Sequence, residues 1–395
     1  MSKGDLGTAI LDGRPAQRIS AYLVDGDLDS SPATLRSNSG KSFQGSILLG
    51  MGFTFDDVNA AKGKATRLAE IERLTAVEPR NAELIEPFLG GEEVNNSPTH
   101  AHHRYAINFL DLPLCRKCDG PGWLALTDDQ RREALRQGIV AHDYPREVAA
   151  DWPDLLAIVE RLVKPERLKQ SDEGGKRLWW RYLRPREEMY RAIEDLPDVL
   201  VINCGATPHM MFAQVPSNQV FAHSLFVFST GGMAQFCTLQ SRVHEIWARS
   251  FTSTLEDRLR YAASDCFETF PLPDGFDDSV AMSSAGQAYL SHRAALMVAR
   301  NQGMTPTYNR FHDPQDSAED ITDLRRLHAA MDDAVLRAYG WDDLADRAAP
   351  EFLTEETEDD HSYQGRLFWP APFRDELLAR LLKLNEERAA EERQG

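Results

Sequence analysis

Several features are missing from this sequence, and each absence excludes a class of protein. No apolar run approaches the roughly 18 residues that a membrane span requires, and the first residues lack the apolar core of a secretory signal. We therefore expect a cytoplasmic protein that contacts no membrane. The five cysteines are an odd number, which argues against a disulfide framework. The formal net charge of −18 excludes a uniformly basic surface.

Motifs that carry catalysis are also missing. The sequence has no G-x-G-x-x-G dinucleotide fingerprint, no H-E-x-x-H metal motif and no G-x-S-x-G nucleophile turn. It also lacks the Asn/Asp-Pro-Pro-aromatic tetrapeptide with which amino-methyltransferases hold a flipped adenine. His209, His223 and His244 have no serine or cysteine in an evident catalytic arrangement. We therefore predict no catalytic residue, and we expect these histidines to be packed or merely polar.

A glycine-rich stretch, SNSGKSFQGSILLGMGF, covers residues 37–53. Its Gly-Lys-Ser at 40–42 matches the end of a nucleotide-binding P-loop, but Leu35 stands where the first glycine of that loop belongs. Nucleotide binding is therefore disfavoured. Two alternatives remain: a loop in which Lys41, Ser42 and backbone N–H groups contact a nucleic-acid phosphate, or a structural turn between strands.

The cysteines at 115 and 118 form a single CxxC with three histidines upstream, at 100, 102 and 103. A structural zinc site needs four ligands, and no second CxxC follows. We therefore predict no metal site, with zinc at Cys115 and Cys118 as the open alternative.

The charge is unevenly distributed along the chain. Between residues 161 and 186 there are nine basic and three acidic residues, interleaved with Trp179, Trp180 and Tyr182. We call 161–186 the basic strip. Lysine and arginine side chains bind phosphates, and aromatic rings can stack on bases. The alternative is a surface segment that the two tryptophans anchor to the core.

The periodicity of apolar residues indicates an α+β fold. Short strands are predicted at 199–202, 211–215, 220–221 and 225–228, in a mixed or antiparallel sheet. Helices are predicted at 56–75, 81–89, 152–169 and 232–250, and further helices at about 283–301, 318–339 and 372–392. Residues 127–130 (TDDQ) match a capping box, and Gly138 is expected to end the helix that they begin. A strand, the turn at 12–15 and a second strand are expected within 8–25. The change in character after 273 predicts a mixed-sheet domain followed by an all-α domain.

Nine segments together resemble the C-terminal part of MmeI-like, type IIG, adenine-specific DNA methyltransferases of restriction–modification and phage-defence systems. They lie at 40–46, 49–53, 79–95 (PRNAELIEPFLGGEEVN), 105–109, 155–170, 244–273 (HEIWARSFTSTLEDRLRYAASDCFETFPLP), 307–314, 331–341 and 381–392. In that family a methyltransferase core precedes a target-recognition domain and a helical region.

The resemblance implies three segments. Residues 1–30 would be the last strands leading out of a methyltransferase core that is absent from this sequence. Residues 31–273 would be the target-recognition domain, with an insertion at 113–150, and residues 274–395 the helical domain. We expect no catalysis by this chain alone. S-adenosylmethionine would bind the catalytic core, supplied in trans or by a parent polypeptide. This chain would be a separate specificity subunit, the distal piece of a split methyltransferase or the product of a truncated gene.

The expected partner is double-stranded DNA, with the chain positioning a target adenine for N6-methylation. The predicted DNA-contacting residues are Lys41, Ser42, Lys164, Arg167, Lys169, Lys176, Arg177, Arg181, Arg184 and Arg186. Base contacts are expected from 203–232 or from the vicinity of 181–186. The alternative is an assembly protein that has lost DNA binding. In that case we expect the basic strip to pair internally with Glu187, Glu188 and the acidic tail at 351–360.

Overall fold

The structure is a computed structural model that describes residues 9–11, 14–16, 31–252, 254–255 and 258–394. The strands at 9–11 and 14–16 pair antiparallel, as the predicted hairpin requires. The rest of the predicted 1–30 segment lies outside the described residues. Within the described ranges, no helix combines the length and the apolar character needed to cross a membrane.

The strands have the following bounds: β1 Ala9–Leu11, β2 Arg14–Ala16, β3 Ser42–Gln44, β4 Thr54–Phe55, β5 Ile85–Leu89, β6 Arg104–Ile107, β7 Cys115–Arg116, β8 Ile139–Val140, β9 Asp198–Asn203, β10 Phe212–Pro216, β11 Val220–Phe221, β12 Leu225–Phe228, β13 Thr254–Leu255, β14 Arg258–Leu259, β15 Glu351–Phe352 and β16 Leu367–Phe368.

The helices have the following bounds: α1 Asp57–Ala60, α2 Ala69–Val77, α3 Gly91–Asn96, α4 Asp128–Gln137, α5 Pro153–Leu162, α6 Lys164–Leu168, α7 Glu173–Arg177, α8 Glu187–Ile193, α9 Met233–Gln240, α10 Arg242–Phe251, α11 Ala263–Cys266, α12 Val280–Arg300, α13 Met304–His312, α14 Glu319–Ala338, α15 Asp342–Ala345 and α16 Ala371–Gln394.

The fold is α+β, as predicted. One antiparallel sheet has the strand order β10-β9-β12-β3, and a mixed sheet has the order β11-β5-β6-β4. The strands predicted from β9 to β12 and the three long C-terminal helices are confirmed within a few residues. Beyond 274 the regular structure of the described chain is helical apart from the short antiparallel pair β15 and β16.

The first sheet is buried on both faces. Leu200 and Ile202 of β9 enter a large core with α9, α10, α12, α14 and α16. Val199 and Val201 enter a second core on the opposite face. Successive side chains of a strand point to opposite faces, so the unbroken apolar run of β9 supplies both cores. Residues on both sides of 273 share the first core, and the division at 273/274 stays a prediction about segments of sequence.

Some predicted helices were wrong in extent. Residues 81–89 do not form one helix, because a 3₁₀ turn at Pro79–Leu84 leads into β5, which pairs with β6. The predicted helix at 152–169 is divided into α5 and α6, since Pro165 lacks the N–H that a continuous helix would use. The predicted helix at 232–250 is divided at Ser241, which adopts extended backbone and begins α10. Residues 56–75 likewise form α1 and the start of α2, with a loop between them.

The segment predicted as an insertion, 113–150, forms a small unit of its own. The parallel strands β7 and β8 flank α4. Thr127 and Gln130 form the predicted capping box, and Gly138 ends the helix with a left-handed φ of 73°. Trp123, Tyr144, Val140 and Val148 pack together inside it.

Candidate nucleic-acid interface

The glycine-rich stretch is a turn followed by an edge strand. Gly40 has a φ of 70°, and the carbonyl of Lys41 accepts a hydrogen bond from the Ser229 N–H at 2.9 Å. Ser42 belongs to β3, and its hydroxyl is buried without a hydrogen-bond partner in the described structure. A Cβ at Gly45 would lie 2.2 Å from the Ala222 carbonyl oxygen, so this glycine serves close backbone packing. Of the two phosphate contacts predicted in this stretch, Lys41 is exposed to solvent, whereas the Ser42 hydroxyl is not.

The three lysines of the basic strip each pair with a glutamate within one helical turn. The Lys164–Glu160, Lys169–Glu166 and Lys176–Glu173 distances are 2.7, 2.8 and 2.6 Å. Exposed pairs of this kind contribute little free energy, so the lysines remain able to exchange a carboxylate for a phosphate. In the described part of the chain, no ion pair joins the strip to Glu187, Glu188 or residues 351–360.

Two arginines of the basic strip, Arg167 and Arg181, donate hydrogen bonds to backbone carbonyls of this chain. Arg167 is 1% exposed, and its Nη2 donates to the carbonyls of Leu48 and Arg181 at 2.7 and 2.9 Å. Burial lowers the pKa of its guanidinium to about 10. Arg181 is half-buried and donates to the carbonyls of Asp111 and Leu112. Contrary to the prediction, Arg167 therefore lies in the interior and is not presented to a phosphate.

Both tryptophans of the strip are anchored in the core. Trp179 and Trp180 are buried with Phe53 and Tyr182. The indole N–H of Trp180 donates to the Leu112 carbonyl at 3.0 Å. These rings are therefore not available to stack on bases, although the segment that they anchor keeps Arg177 exposed.

The last arginines of the strip lie beside the antiparallel sheet. Ile47 and Arg184 exchange backbone hydrogen bonds, which places residues 184–186 along the edge next to β3. Arg184 is exposed, and Arg186 Nη2 donates to Gln44 Oε1 at 3.1 Å. The amide of Gln44 donates in turn to the His223 carbonyl at 3.0 Å. A surface depression of about 480 Å³ lies here, lined by Gln44, Arg184, Arg186 and neighbouring residues.

The loop between β9 and β10 continues this polar surface. The Cys204 thiol donates to the His223 carbonyl at 3.3 Å, and Asn203 Oδ1 accepts from the Gly205 N–H at 2.8 Å. Thr207 and Leu259 exchange backbone hydrogen bonds, so β14 lies against the loop. The exposed Arg258 and Arg260 flank Leu259.

We call the resulting surface the polar rim; its members are Gln44, Arg184, Arg186, Asn203, His223, Arg258 and Arg260. Arginine, glutamine and asparagine are the side chains that form paired hydrogen bonds with guanine and adenine edges. Arginine also binds phosphate through two parallel hydrogen bonds. The rim therefore brings together side chains chemically suited to both kinds of contact, on a chain whose overall charge is negative.

Sequence reasoning found part of this surface. It named Arg184 and Arg186 and the interval 203–232, and it missed Gln44, Arg258 and Arg260. Gln44 lies within the glycine-rich stretch, and no local pattern sets this glutamine apart from its polar neighbours. The arginines at 258 and 260 alternate around Leu259, a strand pattern that could have marked two exposed positions.

The histidines and the CxxC cysteines noted in the sequence lie in the following environments. His209 and His244 are buried, whereas His223 is exposed. Burial and the neighbouring Cys118 raise the pKa of the Cys115 thiol. Within the described residues, no group of three or more histidine, cysteine or acidic side chains is arranged to hold a metal ion.

Comparisons with known proteins agree with these observations. Residues 199–274, which contain the loop and most of the polar rim, match the family model described as "MmeI, target recognition domain". A solved structure of MmeI, a type IIL restriction–modification enzyme in complex with DNA, has the same fold over 95% of this chain, with a TM-score of 0.55 and 18% sequence identity. The chain spans 39% of the length of that protein. No curated protein matches. The resemblance to MmeI drawn from the sequence motifs is thus confirmed for the target-recognition region, since residues 199–274 match the model of an MmeI target recognition domain.

Proposed function

We propose that this chain recognises double-stranded DNA in a sequence-dependent manner. The observation that carries the proposal is the polar rim, where the ends of β3 and β9, the segment 184–186 and the residues 258–260 present arginine and amide side chains beside a sheet that is buried on both faces. Side chains fixed by such a support keep the geometry that base recognition requires. The match of 199–274 to a target recognition domain and the fold shared with a DNA-bound enzyme support this proposal.

In this proposal the contacts fall into two groups. Arg186, Gln44 and Asn203 contact base edges, where each paired hydrogen bond discriminates by about 1–3 kcal/mol. Lys41, Arg177, Arg184, Arg258 and Arg260 contact phosphates, with Lys164, Lys169 and Lys176 joining them by exchanging their glutamates for DNA. Because local basic residues offset a net charge of −18, the affinity depends on this surface rather than on the whole molecule.

The finer biological role follows from the family resemblance. The chain positions a target adenine for S-adenosylmethionine-dependent N6-methylation by a methyltransferase core that meets it in trans or in a parent polypeptide. This assigns the chain the part of a specificity subunit in restriction–modification or phage defence. The rival is an assembly protein without DNA binding, which the pairing of the strip lysines with nearby glutamates favours in part.

Binding to a pool of duplexes with a randomised centre, followed by sequencing of the bound fraction, tests the proposal. We expect an enriched motif and an affinity that falls as salt rises. Arg258→Glu with Arg260→Glu should weaken binding and reduce the slope of log affinity against log salt by about 0.9 for each phosphate that the protein no longer neutralises. Arg326→Glu, the same change at an exposed arginine of α14, is the control. Salt-independent or absent binding would support the assembly protein instead.

Methylation gives the second test. A mixed-sequence plasmid is treated with this chain alone and with a methyltransferase core encoded beside it, and adenine methylation is mapped at single-base resolution. Methylation of one motif only when both proteins are present is the expected result. Methylation by the core alone at the same motif would contradict the specificity role.

A further inference from the structure

The loop between β9 and β10 is held on its interior side by two buried arginines, one from α10 and one from the residue before β16. The carbonyl oxygen of Pro208 accepts hydrogen bonds from Arg366 Nη2 and from Arg249 Nη2, the latter at 3.3 Å. Both arginines are only 6% exposed. Pro208 as a whole is exposed. Its carbonyl oxygen nevertheless points toward the interior, because both donors to it are buried.

The next residue of the loop is held by several further contacts. His209 Nε2 lies 2.8 Å from Asn309 Oδ1, and His209 Nδ1 lies 3.4 Å from Arg366 Nη1. Its ring stacks on His312, with 5.0 Å between ring centroids and 16° between ring planes. The Thr207 hydroxyl donates to the His209 carbonyl at 2.9 Å. Pro208 and His209 are thus held by contacts with α10, α13 and Arg366, and Thr207 is tied to His209 within the loop.

This arrangement buries charge where apolar packing could have filled the space. Glu245 supplies a carboxylate 2.7 Å from Arg249 Nη2, which offsets part of the positive charge. Buried ion pairs are often no more stabilising than apolar residues of the same volume, but they impose a defined geometry. These buried charges therefore serve to define the conformation of the loop more than to raise the free energy of unfolding of the protein.

We propose that Arg366 is a positioning residue for DNA recognition. By holding the Pro208 carbonyl, it sets the path of residues 204–208 and with it the direction in which Asn203 and the loop backbone meet base edges. A loop already held in its binding conformation loses less entropy on binding and rejects poorly matched sequences more strongly. This inference rests on the proposed function and deepens it, because it assigns specificity to a residue that touches no DNA.

The test uses the full chain and the pool of duplexes with a randomised centre. One variant is Arg366→Gln, which removes the charge and the planar set of guanidinium N–H donors. The other is Arg366→Lys, which keeps the charge and a single donor nitrogen. We expect Arg366→Gln to reduce the preference for the selected motif over single-base-pair changes by about 10-fold, within the range that one paired hydrogen bond to a base supplies. Its affinity for unselected DNA should change less than twofold, and Arg366→Lys should recover part of the preference.

Arg374→Gln is the matched control, since Arg374 is also buried but pairs with Glu358 and does not contact the loop. It should keep the preference of the original chain. Because loss of Arg366 could unfold the protein, Thr207→Val is a second variant, which removes only the hydroxyl donor within the loop. We expect it to reduce the preference for the motif while the melting temperature stays close to that of the original chain.

The outcomes separate the two proposals. If the original chain selects no motif, the proposed function fails and this inference fails with it. If the original chain selects a motif and the folded Arg366→Gln variant, or Thr207→Val, selects the same motif with equal preference, only the positioning role is overturned.

Discussion

The guanidinium of Arg366 donates a hydrogen bond to the carbonyl of Pro208, 158 positions earlier in the chain. This contact joins the helical C-terminal region to the loop between β9 and β10, which begins directly after Asn203 of the polar rim. The same two regions share a hydrophobic core that contains Ile202, Phe212 and Leu377. The helical region is therefore part of the support for the loop between β9 and β10.

Base and phosphate contacts of the polar rim should respond differently to mutation. Arg186→Ala, which removes the partner of Gln44, should change the selected DNA motif at one position and lower discrimination there by about 1–3 kcal/mol. Arg184→Ala, the exposed neighbour, should weaken binding to all sequences alike and reduce the salt dependence. Sequencing of bound duplexes together with salt titrations distinguishes the two. Identical effects of both variants would contradict this division.

Arg167 should matter for stability rather than for DNA affinity. Arg167→Leu removes the donor to the Leu48 and Arg181 carbonyls, which are left without that partner. We expect the free energy of unfolding to fall by about 1–3 kcal/mol, as urea denaturation would show. The salt dependence of DNA binding should stay unchanged. Arg161→Leu, at an exposed position nearby in sequence, should leave both quantities unaltered.

Acid should destabilise the fold through His209. Burial, with the charge of Arg366 as a second cause, lowers the pKa of His209 from 6.5 to about 4. The folded state therefore holds the neutral ring, whereas the unfolded chain takes up a proton below about pH 6.5. The contribution of the neutral His209 ring to the free energy of unfolding is fully present above that pH. It is lost as the pH falls toward 4, by about 1.4 kcal/mol per pH unit for this group.

Urea denaturation between pH 7 and 4.5 measures this dependence. His209→Gln keeps an amide beside Asn309 but cannot take up the proton, so its stability should fall less steeply with acid. His142→Gln, which replaces an exposed ring, is the control and should keep the original slope. Equal slopes in all three proteins would show that His209 does not contribute.

Asn385 should be important for joining three distant segments. Its side chain of α16 accepts from the Ala33 N–H at 2.9 Å and donates to the carbonyls of Ala33 and Thr269 at 2.8 and 2.7 Å. Asn385→Ala removes the partner of the buried Thr269 carbonyl and of the partly buried Ala33 backbone, and should lower the free energy of unfolding by about 1–3 kcal/mol. Glu386→Ala, at the exposed next position, should change it by less than about 0.5 kcal/mol. Thermal and urea denaturation of both variants checks this.

Local signals predicted much of the secondary structure. The apolar runs of β9 and β12, the capping box at Thr127 and the left-handed Gly138 depend on neighbouring residues, so the sequence sufficed to find them. The strand β5 was mistaken for helix because its conformation depends on pairing with β6, a contact that no local pattern records. The basic strip was visible as charge, but burial of Arg167 follows from the packing of α6 under Leu48, which composition cannot show.

The sequence by itself determined the fold class, the positions of the main strands and C-terminal helices, and the resemblance to a target-recognition region, since these rest on periodicity, capping and ordered motifs. The tertiary structure alone decided which charged groups face solvent and which serve the interior. It separated Arg184 and Arg186 from Arg167, brought Arg258 and Arg260 beside the loop after β9, and placed Arg366 beneath Pro208. The reason is physical: side-chain exposure depends on contacts between segments far apart in the chain, and only folding brings those segments together.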